Sequence, residues 1–170
     1  MSDAIIVGIV SPLVGALIYG FKKGVDYFIE KKKKKKDPII ANLTADKLIY
    51  EFLSEMLEKY NADRSYLIKF HNGGEYYTGN KIQKFSRSHE VVREGISSEK
   101  INLQNIHISL FPIWLETVIN NKYFFTDIEN MDDKYSEFYL KSLGIKSIIN
   151  IPMYINDRLV AVFGLEWVCD

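Results

Sequence analysis

An α+β fold is what this sequence specifies: a central antiparallel sheet with helices packed on it, preceded by a single transmembrane helix. Three observations predict it. Ile148–Ile155 and Leu159–Leu165 read as two apolar strands joined at Asn156-Asp157, residues that tolerate positive φ and suit a two-residue hairpin. Strands and helices mix along the chain without strict βαβ alternation. Ala4–Phe21 runs 18 residues without a charge. The expected division is a membrane anchor with its Lys-rich flank over 1–37 and one folded domain over 38–170.

At about 1.5 Å per residue, the uncharged run covers roughly 27 Å of a hydrocarbon core about 30 Å thick. Gly8, Gly15, Gly20 and Pro12 weaken a helix in water but are common in membrane spans. A secretory signal peptide needs basic residues before its apolar core, and only Met1, Ser2 and Asp3 stand there. The competing reading is a buried helix of a soluble or virion protein. Lys22, Lys23, Lys31, Lys32, Lys33, Lys34, Lys35 and Lys36 all follow the run. That asymmetry implies one crossing of the inner membrane, with the carboxy-terminal domain in the cytoplasm. Each lysine near anionic lipid head groups contributes about 1 kcal/mol, and the bland alternative is a solvated charge run that only sets topology.

Formal charge is zero overall, but from Pro38 onward 14 Lys/Arg stand against 18 Asp/Glu, a net of −4. The folded part is mildly acidic, which argues against a nucleic-acid surface. Cys169 is the only cysteine, so no disulfide forms within one chain.

Asn42 to Tyr60 reads as a helix capped by Asn42 or Thr44, with Leu48, Ile49, Phe52, Leu53, Met56, Leu57 and Tyr60 at helical spacing. So wide a stripe suits either one core contact or a second copy of the chain as well, and a homo-oligomer through residues 42–60 is the expected assembly. Arg64–His71 alternates as a strand, broken at Asn72-Gly73-Gly74, and Lys84–Val92 is the next strand. Ser109–Asn121 reads as a helix in which Pro112 fits only the first turn. Tyr123–Ile128 is a short strand and Asp132–Leu143 a helix, stopped by Gly144 in the left-handed region.

A helix end at Leu143-Gly144, a strand closing at Ile151-Pro152, a hairpin, then a strand with Gly164 near its end resemble the carboxy-terminal half of a GAF domain. Helix, turn, strand, loop, strand is also how a GAF domain opens, so the resemblance covers roughly Asn42 to Val168. It implies a GAF/PAS-like sheet and, where a ligand exists, a site between that sheet and the irregular segments covering it. Here the cover would come from Asn72–Lys84 and Arg93–Ile108. The tentative ligand-binding residues are His71, Asn72, Arg87, His89 and Arg93, with Tyr76, Tyr77 and Glu94 nearby and Asp127 and Glu129 at the other rim. Strand periodicity places Arg87 and His89 on one face with Phe85 and Val91. A ligand there would be anionic or a polar heterocycle. The bilin-attaching cysteine, the redox cysteines of GAF-type methionine sulfoxide reductases and the cyclic-nucleotide signature of phosphodiesterase GAF domains are missing. The resemblance therefore implies no catalytic residue and no cofactor.

His71, His89 and His107 are the only histidines; with Glu90 or Glu94 they make at best a crude metal site, and no metal is expected. Gly73-Gly74 reads as a turn rather than an anion cradle. No Ser–His or Cys–His arrangement offers a nucleophile. The function that follows is a membrane-anchored interaction or regulatory protein acting through its cytoplasmic domain without catalysis, with a protein partner at the membrane. The alternative is a tethered sensor of a nucleotide-like or anionic small molecule. The small size, single anchor and Asn/Ile/Lys-rich composition resemble accessory proteins of phages. In inside-out and right-side-out vesicles, protease should digest the domain only from the cytoplasmic side; digestion from the other side, or complete extraction by alkaline carbonate, would refute the topology.

Overall fold

A computed structural model describes residues 38–121 and 123–168. The Ala4–Phe21 run and all eight of its flanking lysines lie outside them. Among the described residues no helix is long and apolar enough to cross a membrane. The chain divides into two compact units at Glu55/Met56.

In the first unit the described residues are the greater part of α1 (Pro38–Lys59). The helix already includes Pro38 rather than starting at Asn42, and proline is tolerated in a first turn, where its missing N–H has no partner. Thr44 lies inside it and donates back to Ile40 O (3.0 Å) instead of capping. Ile39, Ile40 and Leu43 are exposed.

The second unit opens with the end of α1. Asn61 takes the left-handed conformation (φ 50°), and Ala62 N–H closes on Leu57 O at 3.0 Å. Then follow β1 (Arg64–Glu75), β2 (Lys81–Val92), β3 (Ile106–His107), α2 (Pro112–Asn120), β4 (Phe124–Asp127), α3 (Lys134–Ser142), β5 (Ile145–Ile155) and β6 (Arg158–Val168). Short 3₁₀ turns over Ile108–Leu110 and Ile128–Asn130 precede α2 and α3. Pro112 opens α2, as its missing N–H requires, and the Asp133 carboxylate caps α3 at Tyr135 N and Ser136 N.

The six strands form one antiparallel sheet in the order β3-β2-β1-β6-β5-β4. Asn156 and Asp157, at φ 49° and 61°, make the β5–β6 turn. The β1–β2 turn is displaced from the expected one. Asn72-Gly73 stays in the strand, and the chain reverses at Tyr76–Asn80, where Tyr76 N donates to Asn80 O (2.8 Å). Gly73 lies close to β2: a Cβ there would be 2.7 Å from Cε at the movable end of the Lys84 side chain. Pro152 likewise does not end its strand, which continues to Ile155.

Cross-strand partners share a face, so register sorts the sheet into two surfaces. Tyr66 and Ile68 of β1 stand opposite Gly164 and Val162 of β6. On that face Tyr66, Ile68, Phe85 and Val162 pack with Phe111, Trp114 and Val118 in one buried cluster. Ile148, Ile145, Ile128 and Met131 form an adjoining cluster. The other face carries Leu67, Ile149, Ile151, Phe163 and Leu165, all buried. Val162 and Phe163 both have no exposed surface, so β6 is central and covered on both sides. Truncating a buried Phe costs about 3–5 kcal/mol, a large share of a domain's stability. Phe163→Ala should lower the thermal midpoint steeply or leave the protein insoluble; an unchanged midpoint would refute this register.

Candidate functional site

Four charged side chains and two polar ones are buried on the α2/α3 face of the sheet, and register brings them there. Arg64 stands opposite Glu166, and Ile148 flanks Glu166 on the other side. Arg87 pairs with Ile68, and Glu90 pairs with Tyr66. Between them Ser88 has no cross-strand partner, since Leu67 pairs with His89 and Ile68 with Arg87. This bulge has a chemical consequence. It returns Glu90 to the face of Arg87 and turns His89 to the opposite face with Leu67. The expectation that Arg87 and His89 share a face therefore fails, because one extra residue reverses strand parity.

Glu166 is the centre of the cluster. Its Oε1 accepts from Arg87 Nη2 at 2.5 Å, and its Oε2 accepts from Arg64 Nη1 at 3.2 Å. Arg87 Nη1 also donates to Glu90 Oε1 at 2.5 Å. Arg64 reaches Glu99 Oε1 at 3.7 Å and donates through Nε to Ser97 O at 2.8 Å. The Arg87 guanidinium lies 3.7 Å from the centre of the Tyr66 ring. Burial opposes its charge, but Glu166, with Tyr66 and Glu90, holds the proton on Arg87 more firmly than usual. Burial also pushes the Tyr66 phenol well above its ordinary range, with the Glu166 charge adding to it. Tyr66 stays a neutral phenol, its oxygen accepting from Asn150 Nδ2 at 2.8 Å. Asn150 Oδ1 in turn accepts from Trp114 Nε1 at 2.8 Å.

Gly164 makes this stacking possible. A Cβ there would lie 2.2 Å from Tyr66 Cζ, so only glycine lets the ring rest on β6 with Arg87 above it.

The cluster also ties down the irregular segment between β2 and β3. Glu90 Oε2 accepts from Ser98 Oγ and from Lys100 N (2.9 Å). Arg87 N donates to Leu103 O at 2.8 Å, and Gln104 Nε2 donates to Arg87 O at 2.9 Å. The polar composition of 93–104 has this use: its backbone and short side chains serve buried charges.

Above the cluster is a cavity of about 60 Å³. Tyr66, Arg87, Asn150 and Glu166 line its polar side; Phe85, Leu103, Phe111, Trp114, Tyr139 and Ile148 are among its apolar walls. The cover comes from α2, α3 and Leu103, and no residue of Asn72–Lys84 contributes. Arg87 Nε is buried without a hydrogen-bond partner.

Of the five tentative ligand residues, Arg87 alone lines the cavity. His71 Nε2 hydrogen-bonds Ser86 Oγ (2.8 Å), and Asn72 Oδ1 accepts from Gln83 Nε2 (3.3 Å). His89 Nδ1 meets Ser88 Oγ at 3.0 Å on the far face. Arg93 is bound to the turn after α1, donating to Ala62 O and Asn61 Oδ1 at 2.9 and 2.8 Å. Among the described residues no cluster of His, Cys, Asp or Glu is placed to hold a metal. Sequence reasoning missed Arg64, Tyr66, Asn150 and Glu166. The available signal was a charge or amide inside an otherwise apolar strand, as in Ile149-Asn150-Ile151 and Leu165-Glu166-Trp167.

No family model and no curated protein matches the sequence. Solved structures do. The chain superposes on the blue-light-absorbing PixJ GAF domain of Thermosynechococcus elongatus with a TM-score of 0.56 at 21% identity, covering 75% of this chain and 72% of that one. The phycocyanobilin-bound GAF domain of a cyanobacterial phytochrome gives 0.56 at 15% identity, with 86% and 79% covered. Staphylococcus aureus NreA, mutated in its nitrate binding site, gives 0.54 at 9% identity, with 75% and 88% covered. The fold is GAF-like.

Removing one partner of a buried ion pair typically costs about 3–5 kcal/mol, since the other charge is left uncompensated. Glu166→Gln strands two guanidinium groups at once. Its unfolding free energy should fall by at least that amount, read as a lower denaturant midpoint at unchanged slope, with protease sensitivity appearing first in 93–104; wild-type stability would show that the cluster does not hold the fold.

Proposed function

We propose that this chain is a non-catalytic regulatory domain of GAF type, tethered at the cytoplasmic face of a membrane, whose state follows a small molecule held over Arg87. One observation carries the reading: a pocket lined by residues of α2, α3 and the β2–β3 segment sits over the buried charge cluster of the sheet. Regulation rather than catalysis is supported by the pairing of the ionisable groups beside it. Arg87 is held by Glu166 and Glu90, Glu166 by two arginines, and Tyr66 as a neutral phenol. None of these is a free base or nucleophile.

The similar solved domains bracket ligand size. One holds phycocyanobilin and another has a nitrate binding site. A pocket of about 60 Å³ is closer in scale to the smaller of these ligands. The tether rests on the uncharged run Ala4–Phe21 and the eight lysines after it.

A second reading, a ligand-free interaction module that self-associates through α1, is favoured by the exposed Ile39, Ile40 and Leu43. Native mass spectrometry of the full-length chain released from detergent reads both. A retained small molecule, together with a thermal shift on adding it back, supports sensing; at 100 times the dissociation constant the stabilisation is about 2.7 kcal/mol. A bare dimer that no metabolite stabilises would overturn sensing in favour of the interaction module.

A further inference from the structure

The sheet ends at β4, which has a neighbouring strand on one side only. Phe124–Asp127 pairs with Ser147–Asn150 of β5. Among the described residues its backbone has no hydrogen-bond partner outside that ladder except at Asp127 O, which accepts from Thr126 Oγ1 at 2.9 Å. Backbone N–H and C=O groups in an antiparallel strand alternate between its two edges, so about half of those in β4 point outward. The opposite edge offers less, because β3 is only two residues long.

A groove follows this open edge. Tyr123, Phe124, Phe125 and Thr126 all line it. Successive strand residues face opposite sides of a sheet, so a single groove reaches all of them by running along the edge. It measures about 570 Å³, so neither α2 nor the turn before α3 closes over the strand. Trp114 of α2 and Met131 of that turn supply apolar walls on which alternate side chains of an added strand could pack.

Charge selects the occupant. Residues 127–133 carry four carboxylates, Asp127, Glu129, Asp132 and Asp133, and no cation. Asp133 is engaged in capping α3, whereas Asp132 is exposed at the groove. The lysines of α3 leave this border acidic, because Lys134 and Lys141 both pair with Glu137, at 2.6 and 2.8 Å. We infer that β4 is a strand-addition site for a protein partner, which supplies an extended segment alternating apolar residues with Lys or Arg. Main-chain hydrogen bonds to the open edge give the affinity, and the carboxylates select a basic sequence. The site is separate from the pocket over Arg87 and from α1.

A short peptide of alternating Val and Lys, added to the full-length chain in an uncharged detergent, is the probe. Its Val/Glu counterpart tests charge. Two versions N-methylated on alternate residues, one on the valines and one on the lysines, keep the charge but lack the amide donors of one edge. Hydrogen exchange of the 124–127 amides reads pairing, and calorimetry reads affinity. The Val/Lys peptide should slow exchange at 124–127 and bind about tenfold more tightly than the Val/Glu peptide. One N-methylated version should fail to protect, and Asp132→Lys, at an exposed residue, should weaken binding. Equal affinity for both charges, or undiminished protection by both N-methylated versions, would overturn the inference. Protection that grows with protein concentration in the absence of peptide would overturn it in favour of a second copy of this chain. Absence of binding would also overturn it, while leaving the sensing reading intact.

Discussion

Glu166 has no exposed surface, and two arginines from different strands reach its two oxygens. A carboxylate so placed is tolerable only if its partners are held in geometry, because desolvating three charges costs several kcal/mol each before any attraction is recovered. Much of the surrounding structure can be read as meeting that condition. β1 delivers Arg64 through register, β2 delivers Arg87 and, by means of its bulge, Glu90. Tyr66 fills the space beneath Arg87, and its ring needs a glycine beneath it at position 164. One constraint thus reaches into three strands.

The same constraint organises what lies above the sheet. Segment 93–104 has little apolar content with which to hold itself down; Leu103 is its main buried anchor. Its hold on the sheet runs through Arg64, Glu90 and Arg87, by way of Ser97, Ser98, Lys100 and Gln104. Packing by Phe111 and Trp114 then fills much of the remaining volume, leaving a small pocket. Polar groups inside the cluster are nearly all satisfied, which is the usual condition of a buried network. Arg87 Nε is the departure from it.

An aromatic cap narrows the cavity, and carboxylates outnumber cations beneath it. Of Arg87, His89 and Arg93, on which the anionic or heterocyclic expectation rested, Arg87 lines the cavity and is paired with Glu166 and Glu90. Fold similarity at 9–21% identity carries the architecture, while the ligand question belongs to these particular side chains.

The sequence by itself determined the class of fold and most of its elements. Local physics sufficed for them: Asn156-Asp157 dictates a hairpin whatever surrounds it, Pro112 can only open a helix, and Gly144 ends one because it accepts positive φ. The apolar strand at Val162-Phe163 was equally legible, since it must be buried on both faces. Two turns of reasoning failed where local and tertiary preferences compete. Asn72-Gly73 has the composition of a turn but stays extended, with Asn72 paired to Gln83 of β2 and the chain reversing at Tyr76–Asn80 instead. The site was hidden for a related reason. Strand periodicity assumes no bulge, and Ser88 reversed the face of His89 and brought Glu90 beside Arg87. Ion pairing between residues 64, 87 and 166 spans 79 to 102 positions of sequence, and only the register of β1 between β2 and β6 decides that they meet. Charge separated that far in the chain has no local signature; its partner is chosen by the sheet.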